Sequence, residues 1–126
     1  MANPIPTVQR TATRKRDRSR CARCLAGCGA GKGELHHRRT RSVNDEHQHC
    51  TCVLVLLCRD CHRWAHAQPI EARHTGFWIS RHTTEPHTEP FQSGPSWAWP
   101  DCEGGLTRVR ASTRWEASIA VLTADE

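Results

Sequence analysis

A small α+β fold is the class this sequence predicts, and three observations predict it. Two Cys-x2-Cys knuckles, Cys21/Cys24 and Cys58/Cys61, stand 33 residues apart. One apolar, β-branched run (53–57) precedes the second knuckle, and a segment with helical spacing (62–68) follows it. With both tails loose, only about 60 residues surround these features, a size that usually needs a staple. Four thiolates on one zinc supply such a staple, with an apparent binding energy of roughly 10–16 kcal/mol.

The elements follow in order. Residues 1–20 hold Pro4, Pro6 and the run Arg14-Lys15-Arg16-Asp17-Arg18-Ser19-Arg20 without apolar periodicity, so they are expected to be a disordered basic arm. The first knuckle leads into a Gly-rich turn ending at Gly33. A short strand over 34–39, a polar loop over 40–51 and a buried strand over 53–57 come next. A helix over 62–68 leaves the second knuckle. Pro69 interrupts it or begins a second helix over 69–74, with Gly76 as the stop. Phe77-Trp78-Ile79 is a short strand or an apolar clip onto the core. Residues 21–81 thus form the domain. Residues 82–126 are expected to be a linker and low-complexity tail, with a small hairpin at 96–110 around Gly104-Gly105.

Composition narrows the function classes. The longest apolar run spans six residues (53–58), far below the 18 or so that a membrane helix needs. The basic start has no apolar h-region, so a reducing cytoplasm is the expected compartment. There, eight Cys and nine His read as metal ligands before disulfides. Residues 1–41 carry eleven Lys/Arg against two acidic side chains, whereas 42–126 carry seven against eleven. Sixteen of the eighteen basic residues are Arg, whose planar fork suits phosphate. The expected partner is a nucleic acid, not a membrane or a small molecule.

Two metal sites are expected. Cys21, Cys24, Cys58 and Cys61 close a tetrahedral shell and leave no open position, the mark of a structural zinc. Cys28 is an alternative to Cys24, Cys50 and Cys52 are either spare ligands or, the favoured reading, not ligands at all, and Asp60 is not counted as a ligand. His62 and His66 are four apart and share a helix face. With His36 they form a three-nitrogen set with open positions, the catalytic pattern. Zn, Ni or Mn suits nitrogen ligands better than Mg. His37 is then the general base. Arg38, Arg39 and Arg41 are expected to hold the flanking phosphates, with Arg14, Lys15 and Arg16 adding attraction. One tension remains: neighbours on a flat strand, such as His36 and His37, point to opposite faces. The alternative is a zinc-finger-like module with solvent-exposed histidines and no chemistry.

Together these motifs resemble the HNH endonuclease family, and in particular its small phage-encoded members. The resemblance spans roughly 18–82. It rests on Cys-x2-Cys, Leu35-His36-His37-Arg38-Arg39, Leu57-Cys58-x2-Cys61-His62-x-Trp64-x-His66 and Glu71-Ala72-Arg73-x2-Gly76-Phe77. It implies a ββα-metal, treble-clef-like fold and metal-dependent cleavage of phosphodiester bonds in DNA, by nicking or by double-strand cleavage. By position it implies His37 as general base and His36, His62 and His66 as ligands. It also implies a role in phage DNA processing or packaging, with terminase subunits as partners in the host cytoplasm. One position departs. Val53 stands where the family usually has the Asn that orients the general base, and Asn44 is displaced from it by nine residues. Either another residue orients His37, or the chain is a weakened, zinc-dependent nucleic-acid-binding module.

Overall fold

The computed structural model describes residues 4–29 and 31–123. Its elements are α1 (Thr7–Arg16), β1 (Glu34–His37), β2 (Leu54–Leu57), α2 (Arg59–Ala67), α3 (Pro69–His74), a 3-10 turn (Pro86–Thr88), β3 (Phe91–Ser93), β4 (Ser96–Pro100), β5 (Leu106–Arg110) and α4 (Arg114–Thr123). The protein is a small α+β fold with two antiparallel sheets, β1-β2 and β3-β4-β5.

β2 is buried at every position, which is why its sequence is a continuous apolar run rather than an alternating one. It pairs with β1 so that His36 lies opposite Val55 and His37 opposite Leu54. α2 begins at Arg59, three residues before the expected start. The Cys58 thiol acts as the cap and accepts the Cys61 N–H at 3.5 Å, so the second knuckle is itself the first helical turn. Pro69 opens α3 at a position where a missing N–H costs nothing. Gly76 ends that segment with φ +84°, and a Cβ there would lie 2.0 Å from the Pro90 carbonyl oxygen. Only glycine fits that approach.

Two expectations about the flanks need correction. Residues 82–126 are not merely a linker and tail. Phe91 and Ala98 are fully buried and join Val55, Leu57, Ala65, Ala72 and Phe77 in a single core. The knuckles and one short strand carry too few apolar side chains to close a core alone, and the β3-β4-β5 sheet supplies the rest. Its β4 and β5 pair across a turn at 101–105, in the stretch where the sequence suggests a hairpin.

Nor are residues 1–20 a disordered arm throughout, because 7–16 are helical. α1 has little apolar periodicity, and Thr13 is its one buried residue. Polar bonds dock its end instead. Arg16 donates to the carbonyls of Thr51 (2.5 Å) and Leu54 (2.7 Å), and Asp17 accepts the Leu56 N–H at 2.9 Å. Arg16 and Asp17 also pair with each other at 2.9 Å, both side chains being almost fully buried. Among the described residues, no helix is long and apolar enough to cross a membrane.

Candidate functional site

Cys21, Cys24, Cys58 and Cys61 come together with their sulfurs within 4.8 Å of one another. Cys24 Sγ and Cys58 Sγ are 3.9 Å apart. Tetrahedral ligands at about 2.3 Å from one zinc lie about 3.8 Å from each other, so the donor set fits. The loop returns tightly because Cys21 N–H donates to the Ala26 carbonyl and Leu25 N–H to that of Cys21, both at 2.8 Å. Arg23 adds a positive charge, donating to Cys61 Sγ at 3.4 Å while its guanidinium lies over the Trp64 ring. Cys28 lies outside the group, as does the exposed Asp60.

His36, His62 and His66 form a second group. His36 is fully buried, and its Nε2 donates to the Phe77 carbonyl at 2.6 Å. A carbonyl can only accept, so the lone pair of His36 is on Nδ1. By the same reasoning His62 Nδ1 donates to the Glu34 carboxylate at 3.1 Å, which leaves its lone pair on Nε2. These outer bonds fix tautomer and ring orientation, as they do for metal-bound histidines generally. His66 Nε2 stands 3.3 Å from His62 Nε2. Two nitrogens bound tetrahedrally at about 2.0–2.1 Å to one ion lie about 3.3 Å apart, so this set also fits. Trp78 packs edge-on against His36 and His66, and is itself held by its Nε1 donating to the Ala65 carbonyl at 2.7 Å. His66 is exposed, so the group opens to solvent on one side.

His37 lines the same cleft as those three histidines, a space of about 370 Å³ rimmed by Thr40 and Arg41. His36 and His37 are consecutive paired residues of β1, and both line this cleft, although His37 lies outside the three-histidine group. His37 Nε2 is hydrogen-bonded to His49 Nδ1 at 3.0 Å. Burial, the Arg41 charge and His49 push His37 down to about 4, and burial pushes His36 down to about 3. Both rings are therefore neutral at neutral pH. Val53 is wholly buried and has no polar side-chain atom to orient His37. His49, which sequence reading passed over, is the side chain that touches it. Nothing in its spacing marks it, since it lies in the irregular loop between β1 and β2.

The arginines divide. Arg41 and Lys15 are exposed, and Arg14 is half-buried with a bond to the Lys32 carbonyl. Arg38, Arg39 and Arg16, by contrast, are corrected from phosphate contacts to internal braces. Arg38 is completely buried and donates to the carbonyls of Gly76, Cys52, Glu89 and Pro90. Arg39, 1% exposed, donates to the Thr83 carbonyl and pairs with Asp45. The physical reason is that a loop-rich fold leaves many carbonyls outside any sheet, and a guanidinium offers five donors to satisfy them. Asn44 is exposed in the loop. Trp64 packs on the core and against Phe77, and Trp97 is buried.

Compared with known proteins, the chain matches no family model, no curated protein and no solved structure.

Proposed function

We propose that the protein is a metal-dependent endonuclease of the HNH type, cutting DNA by nicking or double-strand cleavage. The observation that carries this reading is the convergence of His36, His62 and His66 on an open cleft that also holds His37 and Arg41. Structural sites are closed, whereas hydrolytic sites keep room for water and substrate. A divalent ion held by the three nitrogens, Zn, Ni or Mn in preference to Mg, would supply charge stabilisation to the phosphoryl and leaving oxygens.

The side chains account for the remaining chemistry. The role assigned to His37 requires its Nε2–H to donate to His49 Nδ1, which places its lone pair on Nδ1. That nitrogen takes a proton from water as the water oxygen bonds to phosphorus and the bond to the leaving oxygen breaks. The leaving oxygen takes its proton from solvent. Arg41 binds a flanking phosphate at the cleft rim, and Lys15 and Arg14 extend the positive surface. Phosphate contacts position without reading sequence, so cleavage is expected to be non-specific and steeply salt-dependent. Service in phage DNA packaging, beside terminase subunits, is compatible with this chemistry.

Val53 favours a second reading, in which the same fold binds nucleic acid without cutting it. The test is a nicking assay on supercoiled plasmid with Mg, Mn, Ni or Zn and with EDTA, on wild type and His62→Ala/His66→Ala. Cleavage that needs metal and is lost in the double variant supports the nuclease. Equal DNA binding with no cleavage by either protein moves the reading to the binding module.

A further inference from the structure

We propose a second structural zinc site, made by His47, Cys50, Cys52 and Cys102, that clamps the β4-β5 turn to the loop preceding β2. The sequence offers little sign of it, because two ligands share a one-residue spacer and the fourth is far along the chain. In the fold the four ligand atoms lie within 4.8 Å of one another. His47 Nδ1 is 3.9 Å from Cys52 Sγ and also 3.9 Å from Cys102 Sγ. A ring nitrogen has one proton or one lone pair, so it cannot serve both sulfurs as a hydrogen-bond partner. An ion can serve both. With about 2.3 Å to sulfur and about 2.0–2.1 Å to nitrogen, tetrahedral ligands lie roughly 3.6–3.8 Å apart, a slight contraction from the arrangement present. Three thiolates and an imidazole close the shell, so the site is structural rather than catalytic.

The surroundings suit that role. Cys52 N–H donates to Cys50 Sγ at 3.5 Å, just as Cys61 N–H donates to Cys58 Sγ at 3.5 Å in the four-cysteine group. Thr51 Oγ1 donates to the Asp101 carbonyl at 2.7 Å and accepts the Gly104 N–H at 3.2 Å, joining the same two segments. Asp101 Oδ1 accepts from Glu103 N–H and Gly105 N–H at 2.8 and 2.7 Å, shaping the turn that presents Cys102. Pro100 is buried and Leu106 packs against the core at either end of the turn, but Cys102 at its tip is exposed, so apolar burial does not hold the tip itself. His49 lies between two of the ligands, so the ion also fixes the loop that sets His49 against His37.

The experiment counts zinc on the full chain, purified under reducing conditions, by plasma mass spectrometry and native mass spectrometry. A His62→Ala/His66→Ala background removes the three-histidine group, so the count does not depend on any nuclease activity. Two zinc per chain are expected there, falling to one with Cys102→Ser or His47→Ala. Two should remain with Cys28→Ser and with the ligand-competent Cys102→His. Limited proteolysis should open the 101–123 region in Cys102→Ser while residues 20–80 stay protected. One zinc per chain in the folded background protein overturns the proposal. So do two zinc retained by both Cys102→Ser and His47→Ala, or a two-hydrogen mass loss placing a disulfide among Cys50, Cys52 and Cys102.

Discussion

Arg38→Ala should destabilise the fold severely, and the structure gives the scale. The guanidinium donates to the carbonyls of Gly76 (2.7 Å), Cys52 (2.8 Å), Glu89 (2.5 Å) and Pro90 (3.3 Å). Those carbonyls belong to the loop before β2, the stop after α3 and the approach to β3. Each bond to a charged donor is worth about 1.5–3 kcal/mol, but the values do not add, and burying the charge offsets part of them. That cost is visible in the guanidinium itself, which burial pushes down to about 9. Truncation removes the donors and leaves buried acceptors and a cavity, a loss on the order of 3–5 kcal/mol. A chain of this length has a total stability of only about 6–19 kcal/mol. Arg38→Lys should recover part of the loss, because one ammonium cannot span the same fork. The assay is urea unfolding at fixed zinc, with the m-value checked for constancy. If Arg38→Ala unfolds at the wild-type urea concentration while its DNA affinity loses about one charge of salt dependence, the side chain is a phosphate contact and the reasoning fails.

Three further outcomes are expected. If zinc occupies the four-cysteine group, removing it by chelation or with Cys61→Ser should abolish the folded state, since such an ion would contribute roughly 10–16 kcal/mol; loss of near-UV circular dichroism would report it. Gly76→Ala should cost more than about 1 kcal/mol, because φ is positive there and a Cβ would lie 2.0 Å from the Pro90 oxygen; thermal unfolding measures it. His49→Ala should slow plasmid cleavage about 10–100-fold with DNA binding unchanged, and His49→Gln should restore part of the rate; equal rates in all three proteins would remove His49 from the positioning of His37.

Local signals in the sequence were readable where one short-range rule governs the geometry. The x2 spacers bring Cys21, Cys24, Cys58 and Cys61 together, and the four-residue step aligns His62 with His66. The apolar run at 53–57 is buried throughout and forms β2 from Leu54, because no polar residue interrupts it. What could not be read is held by long-range polar bonds. α1 docks through Arg16 and Asp17 rather than through an apolar stripe. Arg38 and Arg39 look like phosphate contacts beside two histidines, yet both are spent on internal acceptors. Phe91, Trp97 and Ala98 sit among Pro, Ser and Gly, so their place in the core was masked by the turns around them. Cys102 is related to Cys50 and Cys52 only through the fold.

The most direct test of the central claim compares wild type, His37→Ala and Val53→Asn in the plasmid assay, at matched zinc content and with the same metals. If the proposed nuclease reading holds, wild type relaxes the plasmid in a metal-dependent way and His37→Ala does not, with His49 positioning His37 where Val53 offers no polar atom. No relaxation by fully folded, zinc-loaded wild type, with activity gained only in Val53→Asn, would contradict it and identify a fold kept for binding.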